Sequence, residues 1–422
     1  MESHTFEFVQ VSKYVSQEPS EVTRRTLDEY PKILHAILLE GHNYLYQGII
    51  PDLQYLPANI HQLSQCCRMN LTWRPDPDAK VWATADGYEF NFTAGVVFSA
   101  LEMAFLISAM GYQRIMRVSP KQAKELKLRL SDCSHWKEVK GPAQFAYLDD
   151  PVLWACLKKA SPFCPRDKAE MKEIFGTIFP TILFAIAAHE RGHIMRGHLR
   201  MIADTWLHEE PDKQEWVSRA LELDADIYSA AFQCAYLAQL GASHRQLKAV
   251  GYCILGAFML MHFTQQGHRR RAFHPTAKVR YFSTRNVLAA TDGVFHPLTM
   301  SSTAPVIEGL NEFAEALEYS EGAFPMFRGA FEDGARMWAQ FEAIRSYGGS
   351  SAPAVKDDRA VSWKTFFHSS HDEAATEAQW LLESASEMWE SRLHSYAEEV
   401  FDPDTWKENG ALSWIGDENE LE

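Results

Sequence analysis

The spacing of apolar and polar positions changes several times along the chain, and each change predicts an element. Between Ala79 and Thr93 the two kinds alternate on either side of Asp86-Gly87, a dipeptide suited to a tight hairpin turn, so a strand pair is predicted there. From about Ala94 the alternation gives way to a long apolar helix. Helical periodicity then runs from Lys168 to about Leu240, from Ser243 to Gln266 and from Val306 to Ser346, and a last helix is predicted over about Asp372 to Val400. Thr23 to Gln65 reads as helix then loop, Arg114 to Arg129 as an exposed basic helical connector, and 130–165 as irregular. Tyr347-Gly-Gly-Ser-Ser-Ala-Pro-Ala354 is read as a linker, because small flexible residues with a proline sustain no packed element.

The expected fold class is therefore α+β, mainly α-helical with a small β-sheet. We divide the chain into an N-terminal helical region (1–79), a core (80–285), a helical region (286–346), a linker (347–360) and a C-terminal helical region (361–422). With 422 residues, 46% of them hydrophobic, the chain can bury a substantial core.

Three apolar stretches raise the question of a membrane: Ala94 to Tyr112, Gly176 to Ala188 and Leu247 to Phe263. The first carries Glu102, the second leads into a His-Glu motif, and the third is shorter than the roughly 20 residues a span needs. Buried core helices are expected for all three, and no membrane partner. The net charge of −15 is concentrated at one end, since residues 371–422 hold 15 Asp or Glu against Arg392 and Lys407. Such a balance fits a solvated helical face or a docking surface for a protein partner, and it argues against nucleic acid, whose phosphates call for Lys and Arg. Seven cysteines without a CxxC pair fit reduced thiols, and the N-terminus lacks a basic start and apolar run, so a cytoplasmic location is expected.

The strongest chemical signal is His189-Glu190-Arg191-Gly192-His193 at the end of an apolar helical run. Residues four apart share a helix face, so the two imidazoles can bind one metal ion while Glu190 reaches a metal-bound water as general base. A third ligand is required. Glu222 follows 29 residues after His193, in Ala220-Leu-Glu-Leu-Asp-Ala-Asp-Ile-Tyr228, with Asp226 one helical turn further on. Glu222 is the expected ligand and Asp226 the acceptor for the second N–H of a ligand histidine. Asp224 falls off that face and is read as solvated. His198, after Gly197, is read as a cap or a supporting group rather than a ligand, and Tyr228 as a core residue.

An HExxH followed by a helical ExxxD resembles the gluzincin clan of metallopeptidases, in particular the HtpX and CAAX prenyl protease group. Phe273-His-Pro-Thr-Ala-Lys-Val-Arg280 is similar to the His-Pro and Arg those enzymes carry downstream. The resemblance implies a gluzincin-like core, one Zn2+ per chain and a protein or peptide substrate, with His274 stabilising the oxyanion and Arg280 helping to set the site. It also implies that the strand bearing Tyr88, Phe90 and Phe92 is an edge strand beside the zinc, where an extended peptide can pair with its backbone. It covers about residues 80–285. The short spacing to Glu222, and Gly197-His198, are closer to ImmA/IrrE-type peptidases. Two other readings stay open: a zinc-binding sensor or regulatory module with a peptidase-like fold, and a helical interaction protein whose HExxH is fortuitous.

Overall fold

A computed structural model of the protein describes residues 36–49, 62–63, 65–72, 78–111, 167–264, 273–290, 300–319 and 370–402. The expected basic connector, the irregular stretch and the linker lie outside the described residues. Where described, the chain is mainly helical with one three-stranded sheet.

The sheet comprises β1 (Cys67–Thr72), β2 (Ala79–Thr84) and β3 (Gly87–Thr93). The alternating segments form the hairpin, with Ala79 opposite Phe92 and Thr84 opposite Gly87. Glycine is required at the start of β3 on two counts. Its φ is +133°, and a Cβ there would lie 2.2 Å from the Cys66 carbonyl oxygen. The strand order is β1-β3-β2, and β1 pairs with β3 in parallel, Cys67 opposite Tyr88 and Thr72 opposite Thr93. This overturns the expected edge strand: β3 is central and its backbone is paired on both sides. Tyr88, Phe90 and Phe92 are all buried in the core, and the Tyr88 hydroxyl donates to the Val400 carbonyl at 2.6 Å. These three residues are therefore not presented to a substrate.

The helices are α1 (residues 36–49), α2 (Ala94–Gly111), α3 (Lys168–Glu173), α4 (Phe179–Met195), α5 (His198–His208), α6 (Pro211–Gln239), α7 (His244–Thr264), α8 (Ala277–Ala289), α9 (Met300–Tyr319), α10 (His371–Met388) and α11 (His394–Glu398). A π-helical turn at Ile174–Ile178 joins α3 to α4 in one continuous rod. Pro180 has no N–H to donate, and the widened turn before it absorbs that missing bond, while the Thr181 hydroxyl donates to the Thr177 carbonyl at 2.6 Å.

From Lys168 to Met195 this rod is long and apolar enough to cross a membrane, but 71% of its most apolar stretch is buried inside the protein. Helix α4 packs against α6, α7, α2 and β2, with Ile182, Leu183, Ile186 and Ala187 buried. The apolar stretches of α2 and α7 join the same core. The C-terminal helix starts where its sequence predicts. Ser370 accepts from Glu373 N–H at 3.0 Å, and the Glu373 side chain returns a bond to the Ser370 N–H. Helix α10 then lies against α6 and α8, so its acidic residues form the outer face of a packed element.

Helices α7 and α9 pack backbone to backbone at a pair of glycines. A Cβ on Gly309 would lie 2.0 Å from the Lys248 carbonyl oxygen, and one on Gly251 would lie 2.2 Å from that of Val306. Lys248 closes the pair with a 2.7 Å bridge to Glu308. Gly309→Ala should force the helices apart at a cost of about 2–3 kcal/mol, lowering Tm by several degrees in a thermal melt. Gly176→Ala, with nothing within 4 Å of its new methyl, should leave Tm unchanged or raise it slightly.

Candidate metal centre

His189 and His193 lie on one face of α4, both buried, with their Nε2 atoms 3.1 Å apart. Helix α6 crosses α4 at Gly192, where a Cβ would lie 3.2 Å from both Cα and O of Ala225. That close approach brings Glu222 over the two rings. Its Oε2 is 3.4 Å from His189 Nε2 and its Oε1 is 3.4 Å from His193 Nε2. The ligand atoms of these three residues all fall within 4.8 Å of one another, the one such group among the described residues. Ligands about 2.0–2.1 Å from a tetrahedral zinc are separated by about 3.3 Å; here the two nitrogens are 3.1 Å apart and each lies 3.4 Å from its nearer Glu222 oxygen. The residues present therefore fit a small divalent cation.

The orientation of both rings is set from behind. His189 Nδ1 lies 2.8 Å from Asp226 Oδ1, and a carboxylate only accepts, so Nδ1 carries the proton and Nε2 offers a lone pair. His193 is supported through a longer chain. His198 Nε2 lies 2.9 Å from Asp224 Oδ2, which fixes the His198 proton on Nε2, and His198 Nδ1 then accepts from His193 Nδ1 at 3.1 Å. Both ligand rings thus aim their Nε2 atoms at the same point, that of His193 bare and that of His189 open to a cation in exchange for its proton.

Asp224 is not solvated, as its position on the helical wheel suggests, but buried. Arg196 holds both of its oxygens, Nε to Oδ2 at 2.7 Å and Nη2 to Oδ1 at 2.8 Å. The reason is the turn at Gly197 (φ +71°), which ends α4 and folds α5 back so that Arg196 and His198 meet the far face of α6. No helix-face argument on α6 alone can foresee that. His198 occupies the supporting position expected for it.

Helix α8 supplies the remaining charge. Thr276 caps it, accepting from Val279 N–H, so that Arg280 projects from its first turn into the site. The Arg280 guanidinium is wholly buried and forks between the two carboxylates of the ExxxD helix. Nη2 donates to Glu222 Oε2 and Nη1 to Asp226 Oδ1, each at 2.9 Å. His274 Nδ1 lies 3.1 Å from Glu222 Oε2, and at 26% exposure its side chain is the most open of the group, against 3% for His189. Solvent thus reaches the site from the His274 side.

The charges act strongly at this depth. Burial opposes a cation at His189, but Asp226 and Glu222 outweigh it and lift that imidazole to about 10 without a metal, so a bound cation takes the place of a proton. At His193 burial dominates and holds the ring down to about 4. Burial also opposes the Glu222 anion, yet His274, His189 and His193 keep it well below the usual carboxylate range. Glu190, buried beside Glu222 and Asp78, is pushed up to about 8 by desolvation above all.

Arg191 was given no role by the sequence reading, and it lies two residues on from His189, away from the two imidazoles. It is fully buried, its guanidinium 3.3 Å from the centre of the Phe232 ring and 5.6 Å from that of Tyr228, which places Tyr228 in packing as expected. No protein-family model matches the sequence, no curated protein matches it, and no solved structure matches the fold.

Asp224→Asn keeps the shape of the side chain but removes the charge that fixes the His198 proton. Zinc affinity, measured by competition with a chromophoric chelator, should fall about 10- to 100-fold. Tyr228→Phe should leave it within twofold.

Proposed function

We propose that the chain is a zinc-dependent peptidase of gluzincin type, with His189, His193 and Glu222 as metal ligands and Glu190 as general acid and base. The observation that carries this reading is the convergence of two imidazole nitrogens and a carboxylate within 4.8 Å, beside the buried carboxyl of Glu190 on the helix that bears the histidines. A purely structural site has no use for Glu190.

Charge supports a divalent ion. Glu222 and Asp226 carry two negative charges against the single fixed positive charge of Arg280, and without a metal the second positive charge is the proton held on His189, which a divalent ion would displace. When bound, zinc lowers the pKa of a water molecule toward 7 and polarises a carbonyl oxygen. The chain's own residues supply the rest. Glu190 has a proton affinity near neutrality, which suits it both to take a proton from water and to return it to the departing amine. Arg280 keeps Glu222 turned toward the histidines. His274, with Nδ1 facing Glu222, lies at the open side of the site, where its Nε2 can face a developing oxyanion. The substrate class in this reading is a protein or peptide.

The test combines metal content with cleavage of a casein or whole-proteome substrate. Wild type should carry one zinc per chain by elemental analysis, His193→Ala and Glu222→Ala should lose it, and Glu190→Gln should keep it while kcat falls at least about 100-fold. Zinc bound with no cleavage by wild type in either substrate would favour a sensor or regulatory module. A wild-type chain that takes up no zinc would leave a helical interaction protein.

A further inference from the structure

The sequence marks the C-terminal helices only by their acidity, yet their apolar inner side is seated on the supporting residues of the candidate metal centre. Between α10 and α11 a π-helical turn, Trp389–Leu393, interrupts the helix. Leu393 is buried there against Met201, Val217 and Leu221, and Trp389 packs on the same cluster. The Trp389 ring lies under the Arg196 guanidinium, whose central carbon is 3.5 Å from the ring centre. Around that contact the segment is fastened to α5. Arg200 bridges Glu399 at 2.9 Å, the Tyr396 hydroxyl donates to Asp204, and a Cβ on Gly197 would lie 2.6 Å from that of Tyr396.

We propose that Trp389 is a positioning residue for the metal ligand His193, acting through Arg196, Asp224 and His198. This rests on the reading of His189, His193 and Glu222 as a metal centre. The contacts are continuous: ring to guanidinium at 3.5 Å, guanidinium to both Asp224 oxygens at 2.7 and 2.8 Å, carboxylate to His198 at 2.9 Å, and His198 to His193 at 3.1 Å. Each link constrains the next. A guanidinium on a long side chain at a helix end has several rotamers open to it and a strong affinity for water. The indole face holds it flat against the protein, in the plane where both forks meet the Asp224 carboxylate. Asp224, fixed at both oxygens, has one orientation toward His198, and His198 has one orientation toward His193. Removing the ring frees Arg196 to turn into solvent, and the buried chain behind His193 loses its outer anchor.

The test uses the full chain and reads zinc affinity by chelator competition. Trp389→Leu should bind zinc about tenfold more weakly, and Trp389→Phe, which keeps an aromatic face, should recover most of that loss. With cobalt in place of zinc, the ligand-field bands should shift in Trp389→Leu and return in Trp389→Phe. Trp380→Leu is the control. Trp380 lies on α10 with its ring tilted against Trp216 and its side chain largely exposed, and it is not a member of the chain to His193, so its loss should leave affinity within twofold. Arg196→Lys breaks the chain one residue further in and should weaken zinc to a similar degree, which keeps the test open if Trp389→Leu does not fold. Zinc affinity within twofold of wild type in Trp389→Leu or in Arg196→Lys, or an equal loss in Trp380→Leu, overturns the positioning role while leaving the metal centre standing. A wild-type chain that binds no metal removes the metal centre itself, and this role with it.

Discussion

The Arg280 guanidinium, buried between Glu222 and Asp226, is the constraint around which the site is arranged. Two carboxylates one helical turn apart project from the same face of α6 and repel each other, and burial raises the free energy of each. A guanidinium is wide enough to offer one N–H to each, and here it does so with both bonds at 2.9 Å and no exposure to water. Burial alone would weaken Arg280 as a base, but the two carboxylates hold its proton more firmly than usual. Each carboxylate has a second partner. Asp226 faces His189 Nδ1, and Glu222 faces His189 and His193. One positive charge thus orients two negative ones, and Glu222 is directed at the point where the two Nε2 atoms meet.

Close helix packing makes this possible without loops. Helix α4 gives up side chains where its neighbours cross it. Gly192 lets the α6 backbone in beside Ala225, and on another side Gly48 of α1 approaches so closely that a Cβ there would lie 2.8 Å from that of Ala187. Long side chains at those crossings would hold the helix axes further apart, and the few ångströms gained by omitting them decide whether Glu222 reaches the histidines. The same helices bury Ile182, Ile186 and Ala220 close by, so the polar cluster is framed by apolar walls that strengthen every charge interaction within it.

Local periodicity made some of this legible and left the rest hidden. The i, i+4 spacing of His189 and His193, the one-turn spacing of Glu222 and Asp226, and the start of the last helix depend only on residues near in sequence. All three lie where their pattern placed them. The hairpin was equally local. Strand β1 was not: Cys-Arg-Met-Asn-Leu-Thr does alternate apolar and polar residues, but it is six residues long with no hairpin turn to a neighbour, and its partner is the parallel strand β3 about twenty residues further on. Missing it made β3 look like an edge. Asp224 was misread for a related reason. It lies two residues from Glu222 and two from Asp226, on the other side of α6, and a helical wheel assigns that side to solvent unless something covers it. The fold-back at Gly197 covers it with Arg196 and His198, residues that the sequence offers only as a polar helix end.

The two acidic positions that flank each other on α6 therefore serve the two histidines separately, and the supports differ in kind. His189 is backed directly by Asp226, which Arg280 ties into the core; both are shielded fully from water. His193 is backed by His198 and only through it by Asp224, whose second partner, Arg196, is partly exposed. A support with one link and no solvent access fixes its ring more firmly than one with three links ending near the surface, since each further link adds its own freedom of rotation. One ligand histidine is thus bound to the core of the fold and the other to its periphery, where α5 and the C-terminal helices meet.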